Sequence, residues 1–489
     1  MLPYQTLVVI EEKSDLSVYR QIANSLISLI QQGKIAPGTF LPGTRQMAGL
    51  IHVHRNTVTN AYNELLAQNW IETLPRKGYR VIPELPLVKP RSFRPATNYD
   101  ESRYDNDFPR HRLPQSGLPD IPSHIDRIIV NDGLPDIDLM PFKEIMTEYR
   151  MLIKSPELKN ILASGDNGGS ANLKNATCRF LNNSRGLNIT PDKIMLTRGA
   201  QMAIFIAVAL LVRPGDEIVL SDPDYIMAGE IFKRAGAVIH RITADDDGIN
   251  VDELDQLLSR KTIKLLYLVP HHHHPTTVTL SIGRRAKLLS LVNRFKFWII
   301  EDDFDYDYQF KNKPIIPLAS GWHGGKIIYI GSFTKLLAPS FRLGYLVGPV
   351  DLIKQAITYR RLIDTRGDVI MEEALAVLID TGRLDRHIKR SNKIYESRCE
   401  LACRLISESL GHAIQFKKPD GGLAIWLKFN ERYPLAEIIS KAAAAGLVLA
   451  GSAYHTGEDK KHNGIRFGFA SLSEAELCKA VAILKQVIA

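Results

Sequence analysis

The chain is 489 residues long, more than one ordinary hydrophobic core accommodates, so two or more domains are expected. With 45% hydrophobic and 24% charged residues it has the composition of a soluble globular protein, and its longest apolar runs, residues 204–212 and 442–450, are far too short to span a bilayer. Four cysteines make no disulfide framework in so long a chain, and a net charge of +9 argues for an anionic partner chiefly where the cations concentrate.

The first fifteen residues have a short apolar run but neither a basic start nor a small-residue cleavage site, which argues against a signal peptide and for the cytoplasm. Residues 16–32 read as an amphipathic helix with Val18, Ile22, Leu26 and Ile30 on its apolar side, ended by Gly33. Two shorter helices, 45–51 and 55–69, flank a tight turn at His52-Val53-His54, which makes a helix-turn-helix. Arg45 and, near the start of the second helix, Arg55, Asn56, Thr57, Thr59 and Asn60 are the candidates to meet base edges and phosphates. Residues 70–74 and 79–81 pair as strands around the basic tip Pro75-Arg76-Lys77-Gly78, a wing whose Arg76 and Lys77 would neutralise phosphates rather than read sequence. Residues 33–82 carry six cations against Glu64 and Glu72, so the charge is concentrated on this motif.

Residues 1–82 are therefore expected to form a winged helix-turn-helix domain that binds duplex DNA. Residues 83–129, with eight prolines, read as an extended linker, and 130–489 as a second, larger domain. The segments YRQIANSLISLIQQGKIAPGTFLPGTRQMAG and RNTVTNAYNELLAQNWIET closely resemble the winged helix of the GntR superfamily, across nearly all of 16–82. That family usually has a serine where this chain has His54, and a Ser-Gly-Thr-Phe stretch where it has Lys77-Gly78-Tyr79-Arg80.

From about Asn131 short β-branched runs alternate with helical patterns: KIMLTRG, DEIVLSDP, AVIHRI, KLLYLVP, KFWIIEDD and KIIYIGS are strands of an α/β domain with a mostly parallel sheet covered on both faces. Lys335 follows the last of these strands, at the edge where open α/β sheets bind ligands, so its amine is a candidate Schiff-base nucleophile. Asp302, after the strand before it, is placed to keep a pyridine nitrogen protonated. The turn into Gly199-Ala200-Gln201 can cradle a phosphate at a helix N-terminus, with Ser332 and Arg342 adding a hydroxyl and a cation. Tyr225 offers an aromatic face.

Residues 131–489 resemble a fold type I, aminotransferase-like domain, and joined to the winged helix they resemble the MocR (GabR-like) family of regulators. The resemblance implies pyridoxal 5′-phosphate as cofactor, Lys335 as the internal aldimine lysine, Asp302 on the pyridine nitrogen, and Gly199, Ala200, Gln201, Ser332 and Arg342 on the phosphate. It further implies Tyr225 stacked on the ring, Arg466 as the residue that binds an effector's carboxylate, and a homodimer, possible in a head-to-tail, domain-swapped form. Two departures sit at this site. Phe304 replaces the family's usual tyrosine, and His274 stands before Pro275 where ordinary aminotransferases have an asparagine that bonds the cofactor's 3′-oxygen; an imidazole N–H can take over that bond. The run His271–His274 also invites a metal reading, but adjacent histidines on an extended loop rarely all point one way and no cysteine or carboxylate cluster is expected beside them, so no metal is expected.

Two functions follow. In the first, an amino-compound effector reacts with or displaces the Lys335 aldimine and alters operator binding, with no net turnover. In the second, the chain is a working transaminase with an appended DNA-binding domain. A winged helix in cis favours the first.

Overall fold

The computed structural model describes residues 2–11, 14, 16–75, 77–83, 127–163, 166–310, 315–450, 455–456 and 460–488, so Arg76 and most of the expected linker lie outside the described residues. The chain forms two compact units, Met1–Arg110 and His111–Ala489.

In the first unit α1 (Tyr4–Leu7), α2 (Val18–Gln31), α3 (Thr44–Leu50) and α4 (Arg55–Ala67) precede an antiparallel pair, β1 (Ile71–Leu74) and β2 (Gly78–Val81). Ile22, Leu26 and Ile30 recur at helical spacing on α2 and share one core with Met47 of α3 and Val58, Ala61 and Leu65 of α4. Gly33 ends α2 by adopting φ +71, which lets the Lys34 N–H return to Leu29 O at 2.9 Å. The register Leu74↔Gly78 closes the wing's hairpin at its tip end. Main-chain bonds from Leu41 N to Tyr79 O and from Val81 N to Thr39 O, both 2.9 Å, add a third extended segment to the wing. The short helix α1, with Tyr4 buried in the same core, had no counterpart in the sequence reading.

The second unit begins with β3 (Ile128–Val130) and centres on an eight-stranded sheet. Its strands are β4 (Ile194–Thr197), β5 (Glu217–Asp222), β6 (Val238–Asp245), β7 (Gly248–Ile249), β8 (Leu265–Leu268), β9 (Trp298–Asp303), β10 (Ile327–Ser332) and β11 (Gly344–Val347), in the order β4-β11-β10-β9-β8-β5-β6-β7. All neighbours from β10 to β6 pair in parallel; β11 runs against both β10 and β4, and β7 against β6. The alternation of side chains explains the two covered faces. Leu265, Tyr267 and Ile300 enter a core with helices Ala200–Leu211 and Val350–Arg360, while Leu266, Leu268 and Ile299 enter another with helices Val251–Leu258 and Ile282–Phe295. Residues that point both ways into apolar cores give strands with no polar face, as the sequence runs suggested.

A smaller layer holds the antiparallel strands Ile414–Gln415, Ala424–Phe429 and Gly464–Gly468 with the long helix Arg383–Leu410. Here β3 pairs in parallel with Leu447–Leu449, and Gly468 N–H bonds Asn131 O at 2.8 Å. This long-range pairing carries residues 131–133 to the C-terminal edge of the large sheet. Cys178, Cys399 and Cys403 are free and buried, whereas Cys478 is exposed. Among the described residues no helix is long and apolar enough to cross a membrane.

Candidate functional site

The C-terminal ends of the parallel strands enclose a cavity of about 230 Å³. Lys335, Asp302, Tyr225, Ser332, Arg342, Ala200, Gln201 and His274, all anticipated from the sequence, line it, together with Asp132, Tyr267 and Thr334, which were not. Lys335 comes one turn after β10, and its Nζ donates to Gly133 O at 2.7 Å. Burial pushes this amine below its ordinary range, with Asp132 opposing and Arg466 reinforcing the shift. A lowered amine pKa raises the fraction present as a neutral nucleophile.

Asp302 ends in an unusual environment for a carboxylate. Tyr267 Oη donates to Oδ2 at 2.8 Å, but the buried Oδ1 has no hydrogen-bond partner. Burial raises its pKa to about 7, against the Tyr267 bond and with help from Asp303 and Asp305. A buried acceptor left without a donor is costly, so this oxygen is matched to an N–H that a ligand would bring.

At the other end of the cavity Gly199 caps helix Ala200–Leu211 with φ +78. A side chain here would be strained, and its Cβ would come within 3.0 Å of Arg342 Nη2. Arg342 Nη2 donates to Arg198 O at 3.2 Å, leaving the rest of an exposed guanidinium beside the first-turn N–H groups of the helix. Ser332 Oγ accepts from Thr334 N at 3.1 Å and lies 3.3 Å from Leu343 O. A helix N-terminus with an adjacent cation suits a phosphate. An unpartnered carboxylate oxygen, a buried amine and an anion cradle around one cavity thus fit the pyridine nitrogen, aldehyde and phosphate of pyridoxal 5′-phosphate.

The histidine run spreads in four directions. His271 Nδ1 meets Asp303 Oδ1 at 2.7 Å, His272 Nδ1 meets Asp305 Oδ1 at 3.0 Å, His273 lies between Ser221 Oγ (2.8 Å) and Thr276 Oγ1 (2.7 Å), and His274 Nε2 lies 3.6 Å from Asp132 Oδ2. The expectation that no carboxylates adjoin the run was wrong: they arrive from distant segments, at the end of and just after β9 and just after β3. His271, Glu301 and Asp303 bring potential metal-ligand atoms within 4.8 Å of one another. Those atoms already serve the protein, since His271 Nε2 meets Ile315 O at 2.7 Å and Glu301 accepts from Leu318 N and Ala319 N. Burial pushes the His271 pKa down despite its pairing with Asp303, and Arg285, whose Nη2 lies 3.4 Å from His271 Nε2, adds to the shift. Burial lowers His273 to about 3 and moves His274 downward too, so both rings are neutral at pH 7. His274 stands edge-on to Tyr225 (5.0 Å) and to Phe304 (6.1 Å).

Arg466 lies one layer behind the wall. It is fully buried, its Nε donates to Asp132 O at 2.7 Å, Nη1 lies 3.4 Å from Pro275 O, and Nη2 lies 3.8 Å from Asp305 Oδ2 without a hydrogen bond.

In the first unit Arg45, Arg55, Asn56, Asn60 and Lys77 are exposed, while Thr57 and Thr59 are half-buried. Thr59 Oγ1 donates to Arg55 O at 3.0 Å, which limits its freedom to meet a base. Arg55 Nε reaches Thr44 Oγ1 at 3.4 Å. His54 takes over the capping role of the absent serine: its Nδ1 accepts from Asn56 N at 3.3 Å. Arg80 is held by Glu72 through Nε at 2.9 Å, so the wing's free cation among the described residues is Lys77.

Residues 137–484 match the family described as aminotransferase class I and II, and residues 18–81 match the bacterial regulatory proteins of the gntR family. The chain is 26% identical over 472 residues to the uncharacterized HTH-type transcriptional regulator YisV of Bacillus subtilis, covering 95% of each. It is 28% identical to the probable rhizopine catabolism regulatory protein MocR of Rhizobium meliloti, covering 87% of this chain and 84% of that protein. Among solved structures, kynurenine aminotransferase of Pyrococcus horikoshii, in complex with PMP, superposes with a TM-score of 0.69 at 26% identity, covering 74% of this chain and 91% of the other.

Proposed function

Because this chain belongs to the aminotransferase class I and II family and joins that domain to a gntR-type DNA-binding domain, the MocR arrangement, we propose that it is a transcription regulator whose operator binding responds to an amino-compound effector at Lys335. Pyridoxal 5′-phosphate, when bound, supplies an electrophilic carbon and an electron sink. The observation that carries the reading is the pairing of an intact cofactor site with a winged helix that presents Arg55, Asn56 and Asn60 to solvent on one helix.

The residues divide the work. Ala200 and Gln201, at the helix N-terminus, and Arg342 hold the anionic end of the cofactor. Asp302, with one buried oxygen unpartnered and its carboxyl raised to about 7 by burial, would pair with the protonated ring nitrogen and would be held ionised by it. Lys335, whose Nζ donates to Gly133 O here, would be the residue that holds the cofactor and that an effector's amine would displace. The unbonded Nη2 of Arg466 keeps one N–H pair for an effector carboxylate, although it must be reached past Asp132 and Gly133. The effector shifts DNA binding only by the difference in its affinity for the two arrangements of the protein.

A homodimer fits the same picture. On helix Phe142–Lys154, Phe142, Met146 and Ile153 fall on one face and are 37%, 37% and 47% exposed, an apolar stripe that a second copy would cover. The complete Lys335–Asp302 pair also favours a second reading, a half-transamination, which release of a keto product from a bound amino compound would reveal.

The test is the full chain, loaded with pyridoxal 5′-phosphate and titrated with amino compounds, while cofactor absorbance and anisotropy of a duplex selected from random sequences are followed together. Unmodified protein should change both signals; Lys335→Ala should lose the cofactor's lysine-bound absorbance and the effector response yet still bind the duplex. A protein that takes up no cofactor, or a Lys335→Ala variant with the full response, overturns the proposal.

A further inference from the structure

The effector-facing part of the cavity carries a charge that the cofactor does not use. Once the anion cradle, Asp302 with its partner Tyr267, Tyr225 and Lys335 are assigned to the cofactor, the remaining polar wall residues are Asp132, His274 and Thr334. Asp132 is the ionised group among them. Burial works against its charge, but His274, Lys335 and Arg466 prevail and hold its carboxyl well below the ordinary range. It therefore does not act as a base near pH 7; a carboxylate that holds its charge recognises cations.

Asp132 is also available. Its side chain is 36% exposed, and its Oδ2 pairs with His274 Nε2 over 3.6 Å, a contact loose enough for a ligand's ammonium to share the carboxylate. The backbone fixes its position, because Asp132 O takes the Arg466 Nε bond and the neighbouring Asn131 side chain accepts from Gly133 N at 2.9 Å and Leu134 N at 2.7 Å. Lys335 is the cavity's amine next to it, and Lys335 is the group that the cofactor and then the effector engage. When that amine is tied up, Asp132 faces the cavity with a cation missing. Behind it, the fully buried Arg466 has an Nη2 with no hydrogen bond. A carboxylate acceptor for a cation and a guanidinium donor for an anion thus stand side by side.

We propose that Asp132 makes this a site for dibasic amino compounds, whose second cationic nitrogen pairs with the Asp132 carboxylate while the first engages at Lys335. The proposal rests on the effector-binding reading above and names the class of effector. The shared chemistry is the second ammonium. A diamine supplies it alone, whereas a diamino acid supplies it together with a carboxylate for Arg466 Nη2.

The experiment is calorimetric titration of the cofactor-loaded full chain with putrescine against butylamine, and ornithine against norvaline, each pair matched in carbon chain. The dibasic member should bind about tenfold more tightly or better, the size expected of one desolvated charge pair. Asp132→Asn should bring each pair to within about twofold, and Asp132→Glu should keep the preference, which separates lost charge from damaged folding. Preference in the ornithine pair only identifies the diamino acid as the source, and preference in both pairs admits diamines. If amino compounds bind and shift the duplex signal but norvaline equals ornithine, or if Asp132→Asn retains the preference, Asp132 is not the selector while the regulator reading stands. If no amino compound binds, both fall.

Discussion

Asp302 shows how the site is prepared by leaving a residue dissatisfied. Its carboxyl, with an ordinary pKa of 3.8, is raised to about 7 by burial, so below about pH 4 it is protonated in the folded and unfolded chain alike and adds no penalty. As pH rises toward 7 the unfolded chain gives up the proton first, and the cofactor-free fold loses up to roughly 4 kcal/mol of stability at this group. Asp302→Asn, which keeps the shape and removes the charge, should therefore raise the thermal midpoint of the cofactor-free protein near pH 7.5 and leave it almost unchanged near pH 4. An equal gain at both pH values would show that packing, not ionisation, governs the site. The same substitution should weaken cofactor binding, because the ring nitrogen loses its anion. Asp302 and Lys335 were legible in the sequence since one stands at the end of the apolar strand β9 and the other just after β10, each in its own local pattern. Tyr267, which bonds Asp302, and Asp132 were not. Tyr267 looks like any apolar strand residue, and Asp132 joins the site only through the pairing of β3 with Leu447–Leu449, more than three hundred residues away in the chain.

At the scale of elements, the six strands expected from β-branched runs all form; β4, β8 and β10 are buried throughout, whereas β6 has one buried residue, Ile242, and places His240 and Arg241 in ion pairs with Glu217 and Asp224. The strand β11 escaped notice: Gly344–Val347 is four residues long, and its antiparallel insertion between β10 and β4 has no local signature. The helix α4 was legible too, but the meaning of His54 was not. Its imidazole caps α4 over 3.3 Å, a long bond compared with what a serine or aspartate makes at the same position. His54→Ala should cost the helix about 1 kcal/mol, whereas His54→Ser should match or exceed the original. Hydrogen exchange of the α4 amides in the full chain measures this directly, as faster exchange in the alanine variant and not in the serine one. Equal protection in all three would mean that the core contacts of Val58, Ala61 and Leu65 alone hold the first turn. Duplex affinity should fall with the same order, since Arg55, Asn56 and Asn60 depend on that turn for their positions.

For the whole molecule the question is how a small change at Lys335 reaches DNA, and symmetry is the strongest available lever. Two winged helices on one dimer bind two half-sites, and the second contact is made at an effective concentration set by the assembly rather than by the solution. An effector then needs to alter only the relation between copies. The stripe Phe142, Met146 and Ile153 is the described apolar surface that recurs along one helical face, while Ile145 on the neighbouring side of the same helix is buried. Met146 is the choice for a test because its side chain reaches solvent within one unit, so a charge there threatens association more than folding. Met146→Glu should shift sedimentation from dimer to monomer at micromolar concentration, with helical content retained by circular dichroism. Binding to a duplex with two half-sites should then weaken by about a hundredfold, the lower end of what avidity supplies, while binding to a single half-site changes little. A variant that stays dimeric would move the interface elsewhere on the large unit. One that becomes monomeric but keeps its affinity for the double site would remove symmetry from the mechanism and leave the effector to act on a single winged helix.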